Sequence, residues 1–389
     1  MFADKILENY DAFKATELTN RFIKHAQLQS IIQMLPKAFE VTLAGKSGEG
    51  RDLTLIKWGN GPVKVLLWSQ MHGDEATGTM ALFDLINYLQ LPAFEDSIKL
   101  MQTTCTLFLL PMVNPDGAER FTRRNSKQID INRDYNKTVS VEAQLLKNLQ
   151  KKIKPHFGFN LHDQSNLWSV KSTGNPATLS YLAPAPDENL TLTEVRKNAM
   201  FVIADIFSAV NVYLPQQIGL FDETFEPRAF GDNFQANSTA TILIEAGGLK
   251  KDEEKQEIRR YFFLSIISGL ISIASNSYLK QSLQNYRKIP SNSKEIVHIL
   301  IKDIKIDALS LSIGICYEEE PIKNGIGTVK TYLIKDIGDL ENIGAYYEFD
   351  GKGLELQGEV ILYKKANFEL YSGKSLILSF KNGNLQTKL

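Results

Sequence analysis

Cysteine, tryptophan and histidine are all scarce in this chain: two, three and five of them among 389 residues. The two cysteines, Cys105 and Cys316, lie far apart inside apolar stretches. That excludes a disulfide framework and reads as buried thiols in a reducing compartment. Charge of one sign is missing too. With 44 Lys and Arg against 45 Asp and Glu the net charge is -1, which removes the electrostatic case for nucleic acid or an anionic membrane as a partner. No apolar run is expected to reach bilayer length, and no apolar leader follows Met1-Phe2-Ala3-Asp4-Lys5, so the expected location is cytoplasmic. Functional charge must therefore be local, and imidazole chemistry is confined to His25, His72, His156, His162 and His298.

What is present divides into two textures. An N-terminal stretch over 1–37 reads as a helical extension packed on the domain that follows. From 38 to 285, short β-branched or aromatic runs alternate with helical patterns, as expected of an α/β domain. Glu40 to Leu43, Leu53 to Trp58, Val63 to Trp68, Thr104 to Met112, Phe157 to Leu161 and Thr239 to Ile244 read as strands. Glu75 to Leu91, Val141 to Lys152, Leu192 to Val210 and Asp252 to about Leu283 read as helices. From 286 to 389 the texture turns all β, with Val297 to Ile301, Ser310 to Cys316, Gly327 to Leu333, Glu359 to Tyr363 and Ser375 to Phe380 as strands. This module reads as a stabilising or interaction appendage, a surface for protein contact or homo-oligomer formation; His298 is its one histidine.

His72-Gly73-Asp74-Glu75 follows the apolar run Val63 to Trp68, and His162 follows Phe157 to Leu161. Both histidines thus fall at strand C-terminal ends, where open α/β sheets bind ligands. A lone histidine there is more often a hydrogen-bonded core residue. Jointly, His72, Glu75 and His162 make a two-His, one-Glu set that can hold one Zn²⁺ with a fourth position open for water. His25 and His156 read as surface residues.

Asn114-Pro115-Asp116-Gly117 reads as a turn. After it come Arg123-Arg124-Asn125 and Asp130-Ile131-Asn132-Arg133. Arginine reads a carboxylate bidentately, so Arg133 with Asn132 is a candidate carboxylate clamp. Arg123 is a candidate stabiliser of an oxyanion, and Asp130 a candidate acceptor for a metal-bound imidazole; the bland alternative is a set of surface ion pairs. Glu245 ends the apolar strand Thr241-Ile242-Leu243-Ile244, where a carboxylate is costly unless paired or put to use. It is read as the general base for a metal-bound water, because no other carboxylate is seen to end a comparable strand.

In this order the motifs resemble the zinc metallocarboxypeptidase (funnelin) family. The match runs through His72-x-x-Glu75, Asn114-Pro115-Asp116-Gly117, Arg123-x-Asn125, Asp130-x-Asn132-Arg133, His162 and Glu245, with Ser47-Gly48-Glu49-Gly50-Arg51 similar to the family's early turn. The resemblance covers about 38–275. It implies an α/β fold, a mixed eight-stranded sheet sandwiched between helices, here followed by the small all-β domain. It implies one Zn²⁺ per chain on His72, Glu75 and His162, with Glu245 as base, Arg123 polarising the scissile carbonyl, Asn132 and Arg133 on a terminal carboxylate, and Asp130 orienting His72. Phe221 to Phe234 would supply pocket walls, with Asp232 favouring a basic side chain. Between Tyr213 and Tyr261 the chain has no tyrosine, so the family's mobile tyrosine is missing from its usual place. The spacing from Glu75 to His162 is closer to compact bacterial members than to the digestive enzymes. The expected substrate is a peptide or acyl amino acid with a free carboxylate. An N-acyl amino acid deacylase of the succinylglutamate desuccinylase and aspartoacylase type is the alternative hydrolase, and a non-catalytic binding protein on the same fold is the alternative of another class.

Overall fold

The computed structural model describes residues 2–306 and 309–389. Eight strands form the main sheet: β1 (Glu40–Lys46), β2 (Asp52–Trp58), β3 (Val63–Ser69), β4 (Cys105–Leu110), β5 (Phe157–Asp163), β7 (Leu179–Leu182), β8 (Ile218–Leu220) and β9 (Ala240–Ala246). A two-residue strand, β6 (Ser169–Val170), lies outside it. The order is β1-β2-β4-β3-β5-β9-β7-β8. β4, β3, β5 and β9 run parallel to one another, and antiparallel pairings join β2 to β4 and β7 to β9. The sheet is therefore mixed, with a parallel centre.

That centre is apolar on both faces because both are covered. Along β3, Val65 and Leu67 point into one core and Leu66 and Trp68 into the other, the period of two that a strand imposes. The first core is closed by α3 (Thr77–Tyr88), α4 (Glu95–Thr104), α7 (Glu194–Val210) and α9 (Gln256–Ser275). The second is closed by α6 (Val141–Ile153) and α8 (Phe230–Ala236), after the short α5 (Pro115–Arg120). Local chemistry sets several starts: Asn114, Ser140 and Thr193 each accept a backbone N–H from the first turn of the helix that follows, as N-caps do.

The N-terminal segment contains α1 (Phe2–Glu8), a short 3₁₀ turn (Tyr10–Ala12) and α2 (His25–Gln33), with irregular chain between the last two. Ile6, Tyr10, Phe13 and Leu18 join the first core. Asp84 and Arg259, both fully buried, pair across α3 and α9, with Arg259 Nε donating to Asp84 at 2.8 Å. The Tyr10 hydroxyl and the Ala15 N–H also donate to Asp84, each at 2.7 Å. A charge that no water reaches is tolerable only when so fully partnered, and these partners fasten the N-terminal segment to the sheet.

Several expectations are corrected. The helix expected over Asp252 to Leu283 ends at Ser275, where Asn276 turns left-handed at φ 58°, and a separate short α10 (Leu283–Arg287) follows. Contrary to the expectation that no stretch approaches bilayer length, α9 is long and apolar enough to cross one, but 72% of that window is buried inside the protein. Thr104 ends a helix rather than opening β4.

After α10, Tyr286 and Ile289 still pack in the first core, and β10 (Asn292–Ser293) pairs with β6. The module beyond has two four-stranded sheets: β11 (Ile296–Ile306), β12 (Leu309–Pro321), β13 (Thr328–Gly338) and β14 (Gly344–Asp350), then β15 (Glu355–Glu359), β16 (Asn367–Ser372), β17 (Ser375–Lys381) and β18 (Asn384–Leu385). Ile299, Ile313 and Ile334 of one sheet share a core with Phe368, Leu370 and Leu378 of the other. The strand expected over Glu359 to Tyr363 is instead the end of β15 and a turn with Tyr363 at φ 62°.

Candidate metal centre

The turn after β3 is held by the turn after β4. A Cβ on Gly73 would lie 2.1 Å from the Gly117 carbonyl carbon, so two backbones meet where only glycine fits. Asn114 caps α5 by accepting from Gly117 N at 2.9 Å and donates to the Met71 carbonyl. Asp116, fully buried, accepts from Ser47, the Glu49 N–H, Ser126 and Arg51. Neither Asn114-Pro115-Asp116-Gly117 nor Ser47 to Arg51 is a plain surface turn; together they clamp the segment that carries His72 and Glu75.

At the strand ends His72, Glu75 and His162 converge, all buried, with their ligand atoms within 4.8 Å of one another. Nδ1 of His72 lies 2.7 Å from Glu75 Oε1, and Nδ1 of His162 lies 2.7 Å from Oε2. The far nitrogen of His72 meets Asp130 Oδ1 at 3.2 Å. Two imidazoles and a carboxylate aimed inward, with one ring fixed from behind by a second carboxylate, make a donor set suited to a divalent ion of zinc's kind. Burial opposes the charge on His72, but the carboxylates of Glu75 and Asp130 outweigh it and raise its pKa to about 9. Burial dominates at His162 and lowers its pKa. Glu75 is held well below the usual carboxylate range, the two imidazoles overcoming its burial.

Arg123 donates to Asp130 Oδ2 at 3.0 Å and to Glu75 Oε1 at 3.2 Å, keeping its guanidinium at the cavity. Glu245 stands beside His162 in register on the neighbouring parallel strand. Its Oε2 is buried and has no hydrogen-bond partner among the described residues. Burial, then the charge of Glu75, pushes its pKa well above the usual range, so the carboxyl is poised to take or hold a proton.

The expectation that no other carboxylate ends a comparable strand is wrong. β5 runs on to Asp163, whose side chain is only 7% exposed. Its difference from Glu245 lies in its partners: Lys255 Nζ at 3.0 Å and the Thr77 hydroxyl at 2.8 Å. The sequence carries the same signal for Asp163 as for Glu245, an acid ending an apolar strand.

Asn132, Arg133 and Asp232 line the same cavity, of about 390 Å³. The Asn132 side-chain oxygen Oδ1 accepts from the Phe230 N–H at the start of α8. Arg133 Nε lies 3.3 Å from Glu226, which also holds Arg228. Asp232 accepts from the Glu226 N–H, and burial pushes its pKa up to about 6. Asn125, by contrast, serves the loop: it donates to Glu142 and accepts from two backbone N–H groups. His156 is exposed, whereas His25 is half-buried and sits 2.8 Å from the Asp52 carbonyl, so it is not the plain surface residue expected.

Comparison with known proteins finds similarity to the family that the motifs resemble. The profile of the zinc carboxypeptidase family, Peptidase_M14, matches residues 25–172. Carboxypeptidase 2 of Trichophyton rubrum is 28% identical over 102 residues, 26% of this chain and 19% of that protein. Carboxypeptidase Z of Mus musculus is 30% identical over 112 residues, 23% of this chain and 17% of that protein. The chain thus spans less than a fifth of these curated relatives. Among solved structures, bovine thrombin-activatable fibrinolysis inhibitor, in complex with tick carboxypeptidase inhibitor, superposes with TM-score 0.53 at 12% identity, over 67% of this chain and 100% of that one. Carboxypeptidase A of Helicoverpa armigera gives 0.51 at 13% identity, over 72% and 80%. At such identities the likeness is one of fold.

Proposed function

From the premise that the chain carries a zinc carboxypeptidase domain, we propose that it hydrolyses an amide bond next to a residue with a free carboxylate. The observation that carries this reading is the unpartnered, buried carboxyl of Glu245 beside a converged His72–Glu75–His162 set. His72, Glu75 and His162 would hold Zn²⁺, which supplies Lewis acidity and lowers the pKa of a bound water. Glu245 takes the proton from the attacking water and passes it to the leaving amine. Arg123 presents N–H donors where negative charge develops on the scissile carbonyl. Arg133, with Asn132 beside it, binds the terminal carboxylate, which must displace Glu226 from the guanidinium. Asp232 on the same wall suits a substrate side chain bearing an amine. Arginine at this wall serves an acyl amino acid deacylase equally well, so substrate choice is the deciding test.

The experiment is metal analysis of the purified protein followed by profiling of N-blocked dipeptides, their C-terminal amides and N-acyl amino acids. One zinc per chain and cleavage of free-acid dipeptides, with amides turned over at least about tenfold less well, is the expected result. Protein that binds no zinc near neutral pH overturns the reading. Turnover of N-acyl amino acids alone moves it to the deacylase alternative.

A further inference from the structure

The metal centre opens on two sides. On one lies the cavity with Arg133 and Asp232; on the other a second cavity, of about 400 Å³, shares Glu75, Arg123, Asp163, Gln164 and Ser165 with the first. Its far wall comes from outside the eight-stranded fold: Tyr317, Glu319, Pro321 and Thr328 of the β module, with Arg21 of the N-terminal segment. Arg21 grips Glu319 through both terminal guanidinium nitrogens, Nη1 to Oε2 at 2.9 Å, and this pair is largely buried. A Cβ on Gly344 would lie 1.9 Å from the Gly174 carbonyl oxygen, so the module also meets the catalytic fold backbone to backbone.

Tyr317 is the one phenol lining this second cavity among the described residues, and its hydrogen bonding is set by a chain of necessity. The Tyr317 N–H donates to His298 Nδ1 at 3.0 Å. In neutral histidine the other nitrogen then carries the proton, and Nε2 meets Asn166 Oδ1 at 3.0 Å. Burial keeps His298 neutral, lowering its pKa to about 3. With its oxygen so used, Asn166 turns its amide nitrogen to the Tyr317 hydroxyl, 2.7 Å away. The phenol oxygen therefore accepts, and its own proton has no acceptor among the hydrogen bonds of the described residues. The ring cannot swing away: it stacks on His298 at 3.7 Å between centroids and 19° between planes.

We propose that the β module forms the acyl-side wall of the substrate cleft, with the Tyr317 hydroxyl donating to a main-chain carbonyl upstream of the scissile bond. This rests on the reading above, which puts the carboxylate-bearing residue in the first cavity and leaves the acyl portion for the second. Its consequence is selection for peptides over simple acyl amino acids, which have no upstream carbonyl to offer.

The test compares an N-acetyl dipeptide with the N-acetyl amino acid of the same C-terminal residue, in the wild type and in Tyr317→Phe, which keeps the stack. The ratio of their kcat/KM values should fall about five- to tenfold, the effect of one hydrogen bond, through KM rather than kcat; the stability lost with the Asn166 bond is common to both substrates and cancels in the ratio. An unchanged ratio overturns the proposal. Calorimetry on zinc-loaded Glu245→Gln supplies a readout free of turnover: adding Tyr317→Phe should weaken N-acetyl dipeptide binding by the same factor, and an unchanged Kd overturns the donor role. Absence of wild-type turnover on both substrates would overturn the hydrolase reading alone, leaving calorimetry to decide on the wall.

Discussion

Glu245 and Asp163 end neighbouring parallel strands, and what each carboxylate touches separates their work. Asp163 is tied to Lys255 and Thr77, whereas Glu245 Oε2 has no hydrogen-bond partner among the described residues. Glu245→Gln should therefore retain one zinc per chain by metal analysis while kcat falls by about 10² to 10⁴, the usual weight of a general base; near-full activity would remove that role. At this scale the sequence is most legible for His72, Glu75, His162 and Glu245, because an ionisable residue ending an apolar strand stands out from its surroundings. Asp163 shows the limit of that reading, since a carboxylate's partner lies elsewhere in the chain. Glu226 shows it too: nothing near residue 226 reveals that it holds Arg133.

The turn that carries His72 and Glu75 depends on two elements abutting without side chains between them. Gly73→Ala would drive a methyl into the Gly117 backbone, and backbone, unlike a side-chain tip, has little room to give. We expect zinc affinity to drop at least about tenfold, as when the support of a metal ligand is lost, with a lower melting temperature; wild-type affinity would show that the approach is not required. Strand positions were readable because the parallel centre is apolar on both faces. Helix ends were less so. Glu75 looks like a first-turn residue, yet α3 starts at Thr77, because the preceding chain is held in a turn that aims Glu75 at both imidazoles. Short edge strands such as β8, with three residues, carry too little pattern to be seen.

Across the whole molecule, the N-terminal segment and the β module both reach the site through buried polar links. Asp84→Ala would leave Arg259 charged and unpaired in the core; breaking such a pair costs about 3–5 kcal/mol, measurable by urea denaturation. A loss within about 0.5 kcal/mol would show that Arg259 finds other partners. His298 makes the module's docking sensitive to acid. Its folded pKa of about 3 lies below the unfolded value of about 6.5. Stability is thus full above about 6.5 and is lost as pH falls toward 3, by up to about 1.4 kcal/mol per pH unit. His298→Gln should flatten that part of the melting-temperature profile; an identical slope would assign it to carboxylates instead. None of this docking was legible in the sequence, where the module reads as an appendage. The link from Asn166 to Tyr317 joins residues 151 positions apart, and no local pattern encodes so distant a partner.

The pairing of His162 with Glu245 across β5 and β9 makes the backbone separation of the proposed ligand and the proposed base a property of the sheet, fixed at one strand spacing of about 4.8 Å. It can change only in steps. Sliding β9 by one residue would not move the carboxylate gradually away from the metal; it would turn Glu245 to the opposite face of the sheet and put an apolar neighbour in its place. Natural or engineered length changes in the connection between α8 and β9 can therefore leave this centre intact or abolish it, with no graded activities between.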